Sequence, residues 1–304
     1  VGQIKFGIRW PDFDVPIEIG TLRAFVHAAE DLGFDHVTTF DHVAGVRDES
    51  SHFPPHLEFG EALTMIACMA GITNSLGFLT DILNVGYRPT ALTAKQVGTI
   101  DHLTNGRMRL GLGIGAVPPE YDLMGVGHLY KERGARVIEQ IEVLRLLWTE
   151  PEASFEGRWH SFKNCGLNPL PKRPIPIWMG MNWNPPPQVF ERIGRYADGV
   201  LPPWVPGELA YAARERIYDA AREAGRDPLT IGFEPRINLR TGSGEGPAHA
   251  PRKTDDELGE HIRAWQEFGA EFVEFKTRQC GLKNLDEHIA AMAEFMEIAK
   301  SVLN

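Results

Sequence analysis

Along this chain the hydrophobic pattern keeps changing period: a short run of branched and aromatic residues, then a longer stretch with apolar side chains at helical spacing. The strand-like runs are Ile4–Arg9, His36–Phe40, Leu76–Ile82, Arg109–Ile114, Ile175–Met179, Asp198–Leu201, Thr230–Ile237 and Glu271–Lys276. The helical stretches that alternate with them are Gly20–Leu32, Phe59–Ala70, Thr90–His102, Tyr130–Trp148, Pro187–Arg195, Glu208–Ala224, Asp255–Phe268 and Asp286–Val302. Strict β-α alternation requires parallel strands whose connecting helices cover the sheet. Eight such units predict an α/β fold, a single (β/α)8 barrel of TIM type spanning residues 1–304 as one domain. In such a barrel the chemistry sits on the loops that follow the strand C-termini.

Insertions are expected after strands 2, 4 and 7. Asp41–Glu58 contains Pro54-Pro55; Glu150–Pro174 reads as a hairpin with arms Ala153–Glu156 and Trp159–Phe162; Thr241–Thr254 is Gly/Pro-rich and predicts a mobile loop over the active face.

Charge and composition narrow the partners. A net charge of −10 with no basic stripe argues against nucleic acid or an anionic membrane surface. No run approaches the roughly 18 to 20 apolar residues of a membrane span. Three scattered cysteines, Cys68, Cys165 and Cys280, fit a reduced compartment better than a disulfide framework. A cytoplasmic location is the expectation, with a removed leader left open by the start at Val1.

The stretch 76–115 carries most of the chemical information. Two parallel strands deliver Asp81 and a Gly111-x-Gly113-x-Gly115 ladder to one sheet edge, and glycines spaced by two face one side. They predict a floor that something flat and large could approach, or glycines that merely ease barrel packing. A dinucleotide fingerprint would need G-x-G-x-x-G opening a helix; here the glycines run through the strand, and Pro118-Pro119 are expected to block immediate helix entry. Asp41-His42 closes the second strand at the catalytic rim, where an imidazole can exchange a proton near neutrality; the alternative is a plain hydrogen-bonding loop residue.

Other sites are poorer. His36, His52 and His56 lack a converging metal-ligand pattern, and Pro54-Pro55 forbids a helical i,i+4 pair, so no metal is expected. No G-x-S-x-G elbow, P-loop or Cys–His nucleophile signature occurs, which leaves an organic cofactor. Trp10, Asn84, Asn182, Trp204, Glu234, Arg236 and Arg278 stand at strand ends, and Trp10 and Trp204 suit an aromatic pocket wall. Gly180-Met181-Asn182 precedes a helix opened by proline, which suits either phosphate capture at a helix N-terminus or a capped turn.

Taken in order, these motifs resemble the luciferase-like monooxygenase superfamily, in particular its F420-dependent oxidoreductase branch. The resemblance rests on Asp41-His42-Val43, Leu79-Thr80-Asp81-Ile82, Thr99-x-Asp101-x-Leu103-x-x-Gly106-Arg107, Leu110-Gly111-x-Gly113-x-Gly115, Phe155-Glu156-Gly157-Arg158, Pro176-Ile177-Trp178-x-Gly180 and Tyr196-Ala197-Asp198-Gly199. Each is loose alone, but the order and spacing are specific.

The resemblance implies a barrel that binds F420, a deazaflavin, or alternatively FMN at its rim. It implies His42 and Asp41 as catalytic residues and a non-prolyl cis peptide at Asp81–Ile82 behind the ring. Expected cofactor contacts are Asp41, Thr80, Asp81, Ile82, Gly113, Gly115, Gly180, Met181 and Asn182; expected substrate contacts are Trp10, Trp204 and Arg278. Hydride would pass between the deazaflavin C5 and a small organic substrate, with His42 giving or taking the proton. An FMN-dependent monooxygenase using O2 is the alternative, and a non-catalytic flavin or F420 carrier a further one. Family habit adds a homodimer. The sequence departs from F420-dependent sugar-phosphate dehydrogenases in having Ala116 where they carry Glu, with Glu120 nearby but displaced, which puts their acid–base pairing and a sugar phosphate substrate in doubt.

Overall fold

The computed structural model describes residues 4–47, 53–240 and 251–303. The 241–250 part of the stretch expected as a mobile loop, and His52, lie outside the described residues. In chain order the strands are β1 (Lys5–Arg9), β2 (His36–Thr39), β3 (Gly77–Thr80), β4 (Leu83–Asn84), β5 (Met108–Gly113), β6 (Ala153–Glu156), β7 (Ser161–Cys165), β8 (Ile177–Gly180), β9 (Gly199–Leu201), β10 (Gly232–Phe233), β11 (Arg236–Asn238) and β12 (Phe272–Lys276). The helices are α1 (Ile19–Leu32), α2 (Ala62–Ala70), α3 (Thr90–Leu103), α4 (Pro118–Leu123), α5 (Arg133–Thr149), α6 (Pro187–Tyr196), α7 (Glu208–Glu223), α8 (Asp255–Phe268) and α9 (Leu285–Leu303).

All strands but the β6–β7 hairpin pair in parallel, in the order β10-β9-β8-β5-β3-β2-β1-β12-β11, with β4 also on β5. The two ends of this path, β10 and β11, are one stretch of chain interrupted at Glu234-Pro235. That stretch pairs on one side with β9 and on the other with β12, and Glu271 N–H donates to Phe233 O at 3.1 Å across the closing seam. The barrel therefore closes, with β3 plus β4 and β10 plus β11 each filling one strand position, as the alternation predicts.

Strand 3 is split for a reason visible in its register. Phe78 and Leu79 lie opposite Met108 and Arg109, whereas Leu83 and Asn84 lie opposite Leu112 and Gly113. One strand spends four residues where its partner spends three, which defines a β-bulge at Asp81–Ile82.

Several element ends differ from the sequence reading. Helix α2 starts later than Phe59 because Glu61 caps it, accepting Thr64 N–H at 2.7 Å. Helix α5 starts at Arg133, after a 3-10 turn over Gly127–Glu132. The second hairpin arm is Ser161–Cys165, because Gly157 to His160 form the turn, closed by Gly157 N–H on His160 O at 2.8 Å. Pro118 and Pro119 do not block a helix; they open α4, since a first turn has N–H groups to spare.

The main core lies between the sheet and its helices, with Phe25, Ile66, Val97, Ile141, Ile217, Trp265 and Phe295 buried there. Inside the barrel a small apolar plug of Leu79, Trp178, Leu201 and Phe272 sits under Ile82. Polar side chains share that interior. His36 Nε2 lies 2.6 Å from Glu234 Oε1, and Arg109 donates to Glu234 Oε2 at 2.7 Å while stacking on Phe272. Gly7 is required here: a Cβ would fall within 2.2 Å of the His36 ring. Among the described residues no helix is long and apolar enough to cross a membrane.

Candidate functional site

The site is built around the bulge in strand 3. The Asp81–Ile82 peptide is cis, as the resemblance implies. Its seat is made by glycines. A Cβ on Gly111 would meet Thr80 O at 1.9 Å, one on Gly113 would meet Ile82 Cδ1 at 2.2 Å, and one on Gly180 would meet the same atom at 2.8 Å. What approaches the glycine ladder is thus the bulge itself, and the expected open floor is corrected to a cradle for Ile82 and the Thr80 carbonyl. Thr80 Oγ1 completes that clamp, donating to Gly111 O at 2.6 Å.

From below, two arginines fix the bulge. Arg9 donates to Asp81 Oδ2 at 2.9 Å and to Glu274 Oε1 at 3.2 Å, and its other terminal nitrogen bonds the Asp81 carbonyl. Arg236 bonds both Asp81 and Glu274, and Thr38 donates to Glu274. Burial alone would raise the Asp81 carboxyl, but the guanidiniums of Arg236 and Arg9 outweigh it and hold the group well below the usual carboxylate range. Two arginines against two carboxylates leave the cluster balanced, which a buried charge set requires.

At the rim, Asp41 and His42 part company. Asp41 turns inward: its carboxylate accepts Asn84 N–H at 2.7 Å and Arg88 at 2.6 Å, and Arg88 continues to Glu61 at 3.0 Å. Burial pushes the Asp41 carboxyl up from its ordinary value, with Arg88 partly offsetting. Asp41 therefore holds Asn84 and the strand-3 exit in place and does not touch the imidazole. The partner of His42 is Glu120 on α4: Nδ1 lies 2.9 Å from Glu120 Oε2, and Oε1 accepts Val43 N–H at 2.7 Å. Glu120 is wholly buried, whereas His42 is half-buried between Phe40 and Phe53.

Beside the bulge opens a cavity of about 260 Å³. Its lining includes Asp81, Ile82, Asn84, Gly113, Gly115, Ala116, Gly180, Met181, Asn182, Arg133, Arg192 and Arg236. Arg133 opens α5 and Arg192 lies on α6, and a Cβ on the neighbouring Gly134 would sit 3.2 Å from Arg192 Nη2, so the two cations share one end. Among the described residues the buried Nε atoms of both arginines lack a hydrogen-bond partner. The α6 N-terminus itself is a poor anion trap: Pro185, Pro186 and Pro187 have no N–H, and Val189 N–H is spent on Pro186 O. The guanidiniums, not the helix backbone, supply positive charge here.

The luciferase-like monooxygenase model matches residues 10–293. The chain belongs to that family. A relative, the F420-dependent hydroxymycolic acid dehydrogenase of Mycobacterium tuberculosis, is 30% identical over 241 residues, 75% of this chain and 61% of that protein. The F420-dependent glucose-6-phosphate dehydrogenase of Intrasporangium calvum is 30% identical over 177 residues, 57% of this chain and 50% of that protein. The chain thus spans about half to three-fifths of the curated relatives it matches. A solved F420-dependent secondary alcohol dehydrogenase, in complex with an F420-acetone adduct, superposes with a TM-score of 0.77 over 99% of both chains at 16% identity, a likeness of fold.

Within this luciferase-like chain the residues expected at a cofactor divide. Asp81, Ile82, Gly113, Gly115, Gly180, Met181 and Asn182 line the cavity beside the bulge; Asp41 and Thr80 are buried structural anchors. Those expected at a substrate do not converge. Trp10 is fully buried against Phe25, and Trp204 is buried, its Nε1 donating to Trp183 O at 3.3 Å. Arg278 is buried too, stacked over Phe13 and Phe40 near His42. Sequence reasoning missed Arg9, Glu274, Arg133 and Arg192. Glu120 stands near the rim in sequence but displaced from position 116, and the capacity of Pro118-Pro119 to start a helix is the signal that places it.

Proposed function

We propose that the chain is an F420-dependent oxidoreductase acting on a small organic substrate, with His42 as proton donor and acceptor. The observation that carries this reading is a cavity built on the Asp81–Ile82 bulge, on a barrel rim that also carries a carboxylate-held imidazole. The cavity suits a deazaflavin: an apolar side chain, Ile82, rises from the bulge to back a ring, and Arg133 and Arg192 bring positive charge to one end for a phosphate. Bound there, the cofactor supplies two-electron hydride chemistry.

The chain's own groups supply the rest. Glu120 accepts the Nδ1 proton of His42, which fixes the tautomer and leaves Nε2 as the atom that takes a hydroxyl proton or returns one to a carbonyl. Arg9 and Arg236 hold the bulge against movement, so that orientation is built before a ligand arrives. The relatives named above, both F420-dependent dehydrogenases, support the cofactor.

Titration of the purified protein with F420 and separately with FMN, followed by fluorescence quenching, tests the reading. F420 is expected to bind in the micromolar range and more tightly than FMN. Tighter binding of FMN would favour the monooxygenase chemistry of the family name, and failure of both to bind below about 1 mM would overturn a flavin-type cofactor altogether.

A further inference from the structure

One cation of the cavity stands where a helix least favours it. Arg133 is the first residue of α5, and that first turn also holds Arg136 and no acidic side chain. A helix start carries partial positive charge, so a guanidinium there is stabilised only by what surrounds it. Arg136 is spent on structure, donating to Gly86 O at 2.9 Å. Arg133 instead lines the cavity, as Arg192 does.

What surrounds Arg133 is Tyr130. The guanidinium carbon lies 3.8 Å from the centre of the Tyr130 ring, and Nη1 donates to Tyr130 O at 2.6 Å. The same residue reaches the wall of the cavity that follows β5, where its hydroxyl donates to Ala116 O at 3.1 Å. Two residues earlier on that wall the Tyr121 hydroxyl bonds Ile114 O, and the Tyr121 and Tyr130 rings meet edge to face at 5.2 Å. Two tyrosines thus fix the exit of β5, and the more exposed of them carries the cation.

The β6–β7 hairpin grips the same segment. Glu132, between Tyr130 and Arg133, accepts from Arg158 Nη2 at 2.8 Å and from the Trp159 indole N–H at 2.9 Å. Further along α5, Glu139 accepts the backbone N–H groups of Arg158 and Trp159 at 2.8 Å and of His160 at 2.7 Å. The Arg158–Glu132 pair is exposed and weak, but the bonds to the buried Glu139 make the hairpin turn part of α5.

We propose that Tyr130 is the positioning residue for Arg133, setting the guanidinium for the anionic group of the bound cofactor, with the hairpin turn holding the segment from which both side chains project. The proposal rests on the cofactor reading above. Tyr130 acts through Arg133. A carboxylate partner would fix the guanidinium but cancel its charge, whereas a ring face and a carbonyl fix it and leave the charge for a ligand.

A double-mutant cycle reads this separately from turnover, with affinities measured by fluorescence quenching for F420 and for its phosphate-free 5-deazaflavin core, and by calorimetry for inorganic pyrophosphate on cofactor-free protein. Arg133→Gln should cut F420 affinity about tenfold and leave the core within about twofold, since one charge-assisted contact is lost. Tyr130→Leu should cut F420 and pyrophosphate affinity about fivefold, the scale of one cation–π contact, and Tyr130→Phe, which keeps the ring, by less than about twofold. In the Arg133→Gln background Tyr130→Leu should cost nothing further. Trp159→Phe, a milder variant that releases Glu132 without touching Tyr130, should lower F420 affinity about two- to threefold, again only while Arg133 is present. An equal loss in both backgrounds, a loss on the core as large as on F420, or F420 affinity unchanged by Arg133→Gln would overturn the proposal. Failure of F420 and the core to bind, with the pyrophosphate cycle intact, would overturn the cofactor reading and leave the Tyr130–Arg133 pair standing; failure of all three probes would overturn both.

Discussion

The Nδ1 atom of His42 lies 2.9 Å from Oε2 of Glu120, a carboxylate with no exposure to solvent whose second oxygen accepts the Val43 N–H. The pair joins the loop after β2 to a short helix after β5, so the imidazole has a carboxylate partner although residue 116 is alanine. In the proposed mechanism Glu120 would fix the imidazole and face the charge it gains on taking a proton, so Glu120→Gln should lower kcat by about 10–100-fold, the usual scale for a group that orients a histidine. His42→Ala should lower it by about 10²–10⁴-fold. In both variants F420 affinity, read by fluorescence quenching, should change little. Unchanged single-turnover hydride transfer in His42→Ala would remove His42 from the mechanism.

Arg9 bridges Asp81, its carbonyl and Glu274 inside the barrel. Arg9→Met keeps the volume of the stem but leaves two buried carboxylates facing one remaining guanidinium. Loss of one partner from a buried ion set costs about 3–5 kcal/mol, so urea unfolding should show a loss on that scale. A loss below about 1 kcal/mol would mean that water or Arg236 alone satisfies the cluster.

Gly111 and Gly113 make an internal comparison. A Cβ on Gly111 meets a backbone oxygen, Thr80 O, whereas a Cβ on Gly113 meets the tip of the Ile82 side chain. A side chain can rotate away and a strand carbonyl cannot, so Gly111→Ala should destabilise more than Gly113→Ala, the latter by about 1–3 kcal/mol. Gly113→Ala should in turn weaken F420 binding, because the displaced Ile82 lines the cavity. Thermal and urea unfolding with parallel F420 titration would check both orders.

Arg192 lines the cavity end it shares with Arg133. Burial lowers its guanidinium from the ordinary value but leaves it charged at neutral pH. Arg192→Gln should therefore weaken F420 binding by about tenfold and flatten its dependence on salt, since one charge-assisted contact to phosphate is lost. An unchanged salt dependence would place the cofactor phosphate elsewhere.

The barrel was legible because alternation of period 2 and period 3.6 survives any error of a residue or two at element ends. Asp81, Ile82, Gly113 and Gly180 were legible for another reason: they sit on strand ends, and strand ends in a parallel barrel share one rim. Trp10, Trp204 and the floor made by the glycines were misjudged because sequence does not say which face of a loop residue turns inward. Trp10 packs on α1 through Phe25, and the empty Cβ positions of Gly111 and Gly113 are filled by their own neighbouring strand. The partnership of His42 with Glu120, and of Arg9 with Glu274, links residues 78 and 265 positions apart, and nothing local in the chain announces either.

His288 on α9 offers a pH test away from the site. Its side chain is fully buried, Nδ1 bonds Thr277 Oγ1 at 2.8 Å, and Nε2 is 3.7 Å from Asp14, too far for a hydrogen bond. Burial lowers the imidazole from 6.5 to about 4, with Glu287 partly offsetting. Between those values the unfolded chain binds a proton that the folded chain refuses, so the folded state loses stability as pH falls from about 6.5 toward 4 and gains none back below. At about 1.4 kcal/mol per pH step the full loss approaches about 3 kcal/mol. His288→Asn cannot take up that proton in either state, so its stability should fall more shallowly than wild type across this window. Urea midpoints at pH 7, 6, 5 and 4 would measure the difference, and parallel curves for the two proteins would show that His288 titrates alike folded and unfolded.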